Sequence, residues 1–343
     1  MNKDRMTNKC VNLFSEMKII KYISACVLTV LIMGCANRSD DGDLRKFTVE
    51  RFDRASRDYV KLTESQRDSI RKAYAPVVDF FSAVSGVSDP DSLMLMISGS
   101  QAVAVFQPDI ETRLDDLTAA EQTLGKAASR AEKLFPAMKF PKRLIGFVMP
   151  YDQSVVVSDS VVMIGLNHYL GSDYDGYAGF DEYKRRLKDP SRIAYDVVEA
   201  VVRTQFPFDD AENSTVASRI AYEGAVTKMI SDLVDDTDGY IALGLTPEDS
   251  KWVEENEPIL WRGLVEDGAL YSIDRNVAER LVVPAPFAVV NGVRTPGRIG
   301  GMIGYRLVKS YLGSHPGLSA YDILNGRLYG KEGFVVESGY SGE

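Results

Sequence analysis

The chain has 343 residues, of which 45% are hydrophobic and 26% are charged. This composition is typical of a folded soluble protein and excludes a largely disordered chain, which would contain fewer apolar residues. A polytopic membrane protein is excluded because only one long apolar run occurs. The formal net charge is −9, and no basic stripe with interleaved aromatic residues occurs, which together exclude nucleic acid from the expected partners.

Cysteine and histidine are scarce, and their positions limit the chemistry of the chain. All three cysteines, Cys10, Cys26 and Cys35, lie within the first 35 residues, and the two histidines are His168 and His315. These counts exclude a disulfide framework, a cysteine zinc site and a cysteine nucleophile beyond the N-terminus. They also exclude any site that requires two histidines four residues apart.

Residues 17–34 have the pattern of a secretory signal. Lys18 and Lys21 form a short basic region, and the apolar run that follows is shorter than a comfortable membrane span. We therefore predict a signal peptide over 1–34, with Met17 as its true start. An uncleaved anchor helix is the alternative.

The apolar run ends in Leu-Ile-Met-Gly-Cys at 31–35, which resembles a bacterial lipobox and predicts lipidation of Cys35. Two or more acyl chains would hold the protein stably on a membrane, since each buried methylene contributes about 0.8 kcal/mol. Residues 35–45 are polar and acidic and are predicted to be a flexible tether. Their acidic stretch also resembles the surface-export signal of Bacteroidetes lipoproteins, so a surface location and a simple solvated tether both stay open. Removal of 1–34, which carry five basic and two acidic residues, changes the net charge from −9 to about −12.

The N-terminal third is predicted to be mainly helical. Alternating Phe47, Val49 and Phe52 indicate one strand over 46–53, and helical spacing begins at Thr63. The predicted helices of this part span 63–81, 91–106 and 119–134. The middle of the chain changes to β-branched runs, which predict strands over 143–149, 154–157 and 161–166, followed by a loop over 171–179.

Helices return after Pro190. Ser191 is predicted to cap the first of them, and Pro247 is predicted to occupy the first turn of another. The predicted helices span 192–205, 215–234, 248–268, 274–281, 297–312 and 319–325. We therefore predict one α+β domain over 46–343 that is mostly helical, with a small mixed sheet.

Acidic residues occur inside two of the predicted helices, where polar side chains need an explanation. Tyr195 and Glu199 are four residues apart and share a helix face, Asp196 lies beside them, and Glu223 lies in the next helix. Such acids could hold a hard cation or act as a general acid and base. The alternative is that they are structural and pair with arginines. The candidate partners are Arg192, Arg203, Arg219 and Arg298.

The loop at 171–182 partly matches a calcium-binding loop. Asp173, Asp175, Gly176 and Glu182 fit positions three, five, six and twelve of such a loop. The first ligand position is Gly171, which supplies no side-chain oxygen. A pair of ordinary Asp/Gly turns is therefore the alternative to a weak calcium site at Asp173, Asp175 and Glu182.

Glycines recur in the last long helix, at Gly297, Gly300, Gly301 and Gly304. Their spacing does not match a dinucleotide-binding fingerprint, and no clear strand precedes them. A helix face without side chains instead allows another helix to approach closely. We therefore predict a structural role in close helix packing.

Six segments carry a family resemblance that covers most of the chain after the signal peptide. They are Ile164 to Asp173, Tyr222-Glu223-Gly224, Trp252 to Glu257 with Trp261, Leu270 to Asp274, Pro284 to Phe287, and Pro296 to Gly300 through Tyr311. Together, and in this order, they resemble the GldB family of gliding-motility lipoproteins from Bacteroidetes. The lipobox agrees with this resemblance.

That family is in turn distantly similar to zincin-type metallopeptidases. In a zincin, His-Glu-x-x-His lies on a helix and a later Glu can be the third zinc ligand. In this chain the pattern falls on Tyr195-Asp196-Val-Val-Glu199, and the later ligand falls on Glu223. Both histidines are replaced, and Asp196 is one methylene shorter than the usual general base. The resemblance therefore implies a degenerate zincin-like core, with Tyr195, Asp196, Glu199 and Glu223 as relics of a lost hydrolytic centre.

From these observations we predict a non-catalytic, lipid-anchored protein of the cell envelope, in the outer membrane. Its expected role is that of a scaffold or binding component in an envelope, gliding or secretion assembly. No cofactor is expected, and the expected partners are the membrane, through Cys35, and other envelope proteins. Two alternatives stay open. One is an active metal-dependent peptidase that uses Asp196, Glu199 and Glu223, and the other is a surface nutrient-binding lipoprotein.

Overall fold

A computed structural model describes residues 45–158, 161–210, 214–236 and 238–342. These residues belong to one compact unit that begins at Arg45. The predicted signal peptide, Cys35 and the tether up to residue 44 lie outside the described residues. The predictions made for them therefore remain predictions.

Four strands form a mixed sheet at the centre of the fold. They are β1 (Val49–Arg51), β2 (Arg143–Phe147), β3 (Val155–Ser158) and β4 (Val161–Gly165). The strand order is β1-β2-β4-β3, with β1, β2 and β4 parallel and β3 antiparallel to β4. The three strands predicted in the middle of the chain are confirmed. The strand predicted over 46–53 is shorter, because a helix begins at Phe52.

The N-terminal third of the described chain is helical, as predicted. Its helices are α1 (Phe52–Arg57), α2 (Glu64–Ala73), α3 (Ala75–Ser85), α4 (Pro90–Ser98), α5 (Gln101–Arg113) and α6 (Thr118–Leu134). Thr63 caps α2 together with Gln66 in a capping box. The prediction of one continuous helix over 63–81 is wrong. The helix is interrupted at Tyr74, just before Pro76, so that α2 and α3 are separate elements. The helix predicted over 91–106 also divides, at Gly99.

The C-terminal half follows the predicted helices closely. It contains α7 (Glu182–Arg186), α8 (Arg192–Gln205), α9 (Val216–Val234), α10 (Pro247–Glu266), α11 (Arg275–Val282), α12 (Ile299–Ser314), α13 (Ala320–Asn325) and α14 (Phe334–Glu337). Ser191 does not cap α8 as predicted, since its hydroxyl donates to Asp189 instead. Within the described ranges, no helix has both the length and the apolar composition needed to cross a membrane.

Helices cover both faces of the sheet, and the side chains of each strand alternate between two cores. Ile145 and Met163 belong to a smaller core with residues of α1, α3 and α4. Leu144 and Val162 belong to a larger core that includes α6, α8, α9 and α12. The central strands β2 and β4 are buried on both sides, which explains why their sequences are nearly continuous apolar runs rather than alternating ones.

A two-stranded hairpin after α11 was not predicted. Its strands, β5 (Ala288–Val290) and β6 (Val293–Thr295), are antiparallel and joined by Asn291 and Gly292. Both turn residues have positive φ, 46° and 76°, as a two-residue hairpin turn of this kind requires. The Asn-Gly pair between two valine-containing segments was the signal that sequence reasoning missed.

Gly304 of α12 packs directly on α9, and this is a close helix contact of the kind predicted from the glycines. A Cβ atom at Gly304 would overlap with the carbonyl oxygen of Ile220, and a Cβ atom at Gly224 would overlap with the backbone of Gly304. The two helices therefore approach at a distance that only glycine permits on each side. This contact fixes α9 in the core and so determines where Glu223 lies.

Candidate functional site

A cleft of about 860 Å³ opens between β3, α8 and α9. Its rim is completed by the segment around α7, by the end of α11 and by Arg298 at the start of α12. The helix α8 is amphipathic: Ile193, Val197 and Val201 lie in the core, while the cleft is lined by Asp196, Glu199 and Arg203. Apolar and charged side chains thus alternate at helical spacing, and this alternation places the charges in the cleft.

The structure brings three of the four predicted relic residues together. Asp196 and Glu199 on α8 and Glu223 on α9 all line the cleft, whereas Tyr195 does not. The ring of Tyr195 packs against the larger core, and the guanidinium of Arg192 lies 5.1 Å from its centroid. Helical spacing predicted that Tyr195 and Glu199 share a face. In the structure only Glu199 of this pair lines the cleft.

Glu199 forms ion pairs with two arginines. Arg203 Nε donates to Glu199 Oε1 at 2.8 Å, and Arg298 Nη2 lies 3.5 Å from the same oxygen. Burial opposes ionisation of Glu199, but the charges of Arg203 and Arg298 outweigh it and lower the pKa of Glu199 to about 2. Glu199 is therefore a permanent anion at any physiological pH.

Glu223 is the most deeply buried of the three acids, with 4% of its side chain exposed. Arg203 donates to both of its carboxylate oxygens, with Nη2 to Oε2 at 2.6 Å and Nη1 to Oε1 at 3.2 Å. Arg219 approaches Oε1 at 3.1 Å from one turn earlier on α9. A bidentate guanidinium pair of this kind satisfies a buried carboxylate in both charge and geometry.

Asp196 differs from Glu199 in the direction in which its pKa is shifted. Arg192 Nη2 donates to Asp196 Oδ1 at 2.8 Å, and the hydroxyl of Tyr169 donates to Oδ2 at 2.9 Å. Burial nevertheless dominates over the charge of Arg192 and raises the pKa of Asp196. The cleft therefore holds two neighbouring carboxyl groups, Asp196 and Glu199, whose pKa values are moved in opposite directions.

All three acids form ion pairs with arginines. This is the alternative stated from the sequence, in which the acids have a structural role. The four arginines involved are the four named from the sequence. A guanidinium occupies the lone pairs that a metal ion would need, and its charge repels a cation. Among the residues that the structure describes, no group of three or more His, Cys, Asp and Glu side chains is arranged to hold a metal ion.

The weak calcium candidates do not converge on one point. Asp173 is largely exposed and forms an ion pair with Arg113 at 2.9 Å. Asp175 begins a short 3-10 turn, and Glu182 lies in the first turn of α7. In the described part of the chain, none of the three belongs to a group of metal-ligand type. The geometry favours the Asp/Gly-turn interpretation.

Two residues of the cleft were not predicted as site residues, and they form a pair. Lys188 Nζ donates to His168 Nδ1 at 3.2 Å, and His168 Nε2 contacts the carbonyl oxygen of Tyr151 at 2.9 Å. Burial, with a contribution from Lys188, lowers the pKa of His168 to about 4. The imidazole is therefore neutral at physiological pH, with its proton on Nε2 and its lone pair facing Lys188.

Comparison with models of known families shows what the chain is similar to. A family model described as gliding motility protein GldB matches residues 36–341. No curated protein and no solved structure matches the chain.

Proposed function

We propose, from the premise that the chain belongs to the GldB family of gliding motility proteins, that it is a lipid-anchored, non-catalytic binding component of an envelope assembly. The family indicates a gliding-motility-related lipoprotein of the cell envelope. Four parts of this proposal go beyond what the family match indicates. They are the membrane anchor, the outer-membrane location, an origin in Bacteroidetes and the absence of catalysis.

The lipid anchor is supported by the lipobox pattern that ends at Cys35. Its test is incorporation of a labelled fatty acid in cells that express the wild-type chain, Cys35→Ser or Cys26→Ser. Label in the wild type and in Cys26→Ser, but not in Cys35→Ser, is the expected result. Equal labelling of Cys35→Ser would contradict the assignment.

The position of Arg203 is the main observation that supports a non-catalytic role. Its guanidinium contacts Glu199 and Glu223 at once, by three nitrogen–oxygen contacts of 2.6 to 3.2 Å. A carboxylate that accepts these bonds is a poor base, because the charge of the arginine stabilises its ionised form. It is also a poor metal ligand, because the guanidinium and a metal ion compete for the same oxygen atoms.

The zincin-like origin of the core is part of the same proposal. Glu199 occupies the position of the second zinc-binding histidine in that alignment, and Glu223 occupies the position of the downstream ligand. The guanidinium of Arg203 thus lies between two positions at which a zincin binds its cation. An internal organic cation in place of a metal would preserve the helix arrangement while abolishing hydrolysis.

Metal analysis and a peptide hydrolysis assay test the proposal together. The purified wild-type protein is compared with Glu199→Ala, Glu223→Ala and the control Glu255→Ala, an exposed glutamate of α10. We expect no stoichiometric metal and no hydrolysis in any of them. Metal and hydrolysis that are present in the wild type and in Glu255→Ala, and lost in the other two variants, would overturn the proposal.

One observation favours the rival function, an active hydrolase. The pKa of Asp196 is raised while that of Glu199 is lowered to about 2, and opposite shifts in neighbouring carboxyl groups are typical of acid–base pairs. The variant Asp196→Asn separates the two functions. It should leave ligand binding in place under our proposal, and it should abolish turnover if the chain is an enzyme.

A further inference from the structure

The cleft carries more positive charge than its own acids neutralise. Its lining contains six cations and four carboxylates, although the whole chain has a formal net charge of −9. The cations are Lys184, Lys188, Arg192, Arg203, Arg219 and Arg298. His168 adds no charge at neutral pH, because burial lowers its pKa to about 4. A concave surface with an excess of one sign focuses the field and attracts an ion of the opposite sign.

Several guanidinium groups of the cleft have a nitrogen without an acceptor among the described residues. Arg219 forms an ion pair with Glu223, and within the described part of the chain its buried Nε has no hydrogen-bond partner. The Nε atoms of Arg192 and Arg298 are likewise buried and have no hydrogen-bond partner among the described residues. Buried donors are normally satisfied, so a cluster of unsatisfied ones needs an explanation. A ligand that supplies acceptors to this cluster provides it.

Lys188 is a cation of the cleft that has no ion-pair partner among the described residues. It donates to the neutral ring of His168 at 3.2 Å and lies 5.2 and 5.1 Å from the ring centroids of Tyr177 and Phe180. Asp152 and Asp196 influence it only at longer range, and within the described residues no carboxylate pairs with it. The aromatic rings hold its position without cancelling its charge.

The start of α12 is strained in a way that positions a further cation. Arg298 has a φ of 58°, in the left-handed region that a non-glycine residue enters at a cost. The preceding Gly297 contacts Ala285 so closely that a Cβ atom would overlap with the carbonyl oxygen of that residue. The chain is thus tightly packed immediately before Arg298, and the side chain of Arg298 lines the cleft.

Part of the remaining wall of the cleft is apolar. Val155, Phe180, Leu187 and Val283 lie among the charged residues that line it. A small inorganic anion would leave these walls uncovered, whereas a peptide with alternating acidic and apolar side chains would satisfy both kinds of surface. The volume of about 860 Å³ is sufficient for a segment of several residues.

We infer that this cleft binds an acidic peptide segment of a partner protein, with Lys188 and Arg219 as the main contacts to its carboxylates. The inference rests on the proposed function, because it names the ligand class of the same cleft. It predicts that binding requires carboxylates in the peptide and these two cations in the protein.

Isothermal titration calorimetry with the full chain tests this inference. The probe is an acetylated and amidated hexapeptide in which glutamate alternates with valine, and its neutral counterpart has glutamine in place of glutamate. The protein variants are Lys188→Gln, Arg219→Gln, the charge-conserving Lys188→Arg and the control Lys251→Gln, an exposed lysine of α10. Thermal unfolding of each variant shows whether it is folded.

We expect the acidic peptide to bind and the neutral peptide to bind at least tenfold more weakly. Lys188→Gln and Arg219→Gln should each weaken the binding of the acidic peptide about tenfold, which corresponds to about 1.4 kcal/mol. Lys251→Gln should have no effect, and Lys188→Arg should retain most of the affinity. The two glutamine substitutions lie in different parts of the structure. If one of these variants fails to fold, the other still tests the inference.

Three outcomes would overturn the inference. The first is equal binding of the acidic and the neutral peptide. The second is unchanged binding of the acidic peptide by both glutamine variants when they are folded. The third is that inorganic phosphate binds, and its binding is weakened by the same substitutions, while the acidic peptide does not bind. Mass spectrometry of the peptide after the titration reports separately on the proposed function. A cleaved peptide that still requires Lys188 would refute the non-catalytic role and leave the ligand class intact.

Discussion

Replacement of Arg203 by methionine is the sharpest test of the interpretation that the acids of the cleft are structural. The substitution keeps an unbranched apolar stem and removes the guanidinium group with its charge. It takes away the hydrogen bond to Glu199 at 2.8 Å and the two bonds to Glu223 at 2.6 and 3.2 Å. Glu223, with 4% of its side chain exposed, would keep only Arg219.

The magnitude follows from burial and from the pKa of Glu199. Removal of one partner from a buried ion pair costs about 3–5 kcal/mol, because the other charge stays in the interior without compensation. The pKa of Glu199 is lowered to about 2 from its ordinary value of 4.5, which corresponds to about 3 kcal/mol of stabilisation near neutral pH. We therefore expect Arg203→Met to lower the free energy of unfolding by about 3 kcal/mol.

The same pKa predicts how the effect varies with pH. Because the folded pKa of Glu199 lies below its unfolded value, its stabilisation is present above about pH 4.5 and is lost as the pH falls towards 2. Since Arg203 is the cation that contributes most to this lowering, Arg203→Met should lose much of the contribution at neutral pH. The difference between the wild type and the variant should therefore shrink in acid.

Urea unfolding, followed by the fluorescence of Trp252 and Trp261 in α10, gives the free energy directly. The matched control is Arg275→Met, which removes an exposed ion pair with Asp210 and should change stability by less than about 1 kcal/mol. Adding Glu223→Met to Arg203→Met should recover part of the loss, since the unpaired buried charge is then gone. A variant Arg203→Met as stable as Arg275→Met would refute the reasoning.

Three further predictions concern the fold and its pH dependence. Gly304→Ala should destabilise the protein by about 3 kcal/mol or more in thermal unfolding, because its Cβ would force α12 away from α9. Gly313→Ala, in the same helix but with open space around the added Cβ, should instead be neutral or stabilise by up to about 1 kcal/mol. Because burial lowers the pKa of His168 from 6.5 to about 4, the free energy of unfolding should decrease as the pH falls through this window, and His168→Gln should lose that component. Gly292→Ala should destabilise by about 1–2 kcal/mol in the same assay, because φ is 76° at this hairpin turn.

Much of the fold could be predicted from local patterns. The bounds of α8 are those expected from the sequence, because Ile193, Val197 and Val201 repeat at helical spacing and Pro207 follows closely. The glycine face of α12 correctly predicted a close helix contact, since a face without side chains has few other uses. Local sequence could not reveal that Gly224 of α9 would be the partner, because this pairing depends on the tertiary arrangement.

Errors occurred where a local signal was overruled or overlooked. The periodicity of 63–81 continues through Tyr74, so apolar spacing alone did not reveal the break that precedes Pro76. The hairpin at Asn291 and Gly292 has short strands of three residues each, which are too brief for a periodicity signal. In that case the turn residues carried the information and the strands did not.

The candidate site was only half visible in the sequence. The acids Asp196, Glu199 and Glu223 attracted notice because charged residues inside apolar helices are unusual. Arg192, Arg203 and Arg219 could be proposed as partners because each lies four residues from one of these acids on the same helix. Lys188 carries no such signal. It lies in a basic segment after α7 that is typical of an exposed surface, and only the fold places it against His168 and the cleft.

The charges of the cleft connect the proposed loss of catalysis with the proposed gain of binding. A metal site would need the carboxylates of Glu199 and Glu223 to be free, whereas Arg203 neutralises them and leaves Arg219 and Lys188 with unused capacity. If a zincin-like ancestor held a cation at this point, replacement of that metal by arginine side chains would retain a positive centre in the same cleft. An electrophilic centre that once polarised a peptide carbonyl would then become a fixed set of donors for peptide carboxylates. On this argument Arg203→Met should weaken both stability and acidic-peptide binding, whereas Lys188→Gln should weaken binding alone.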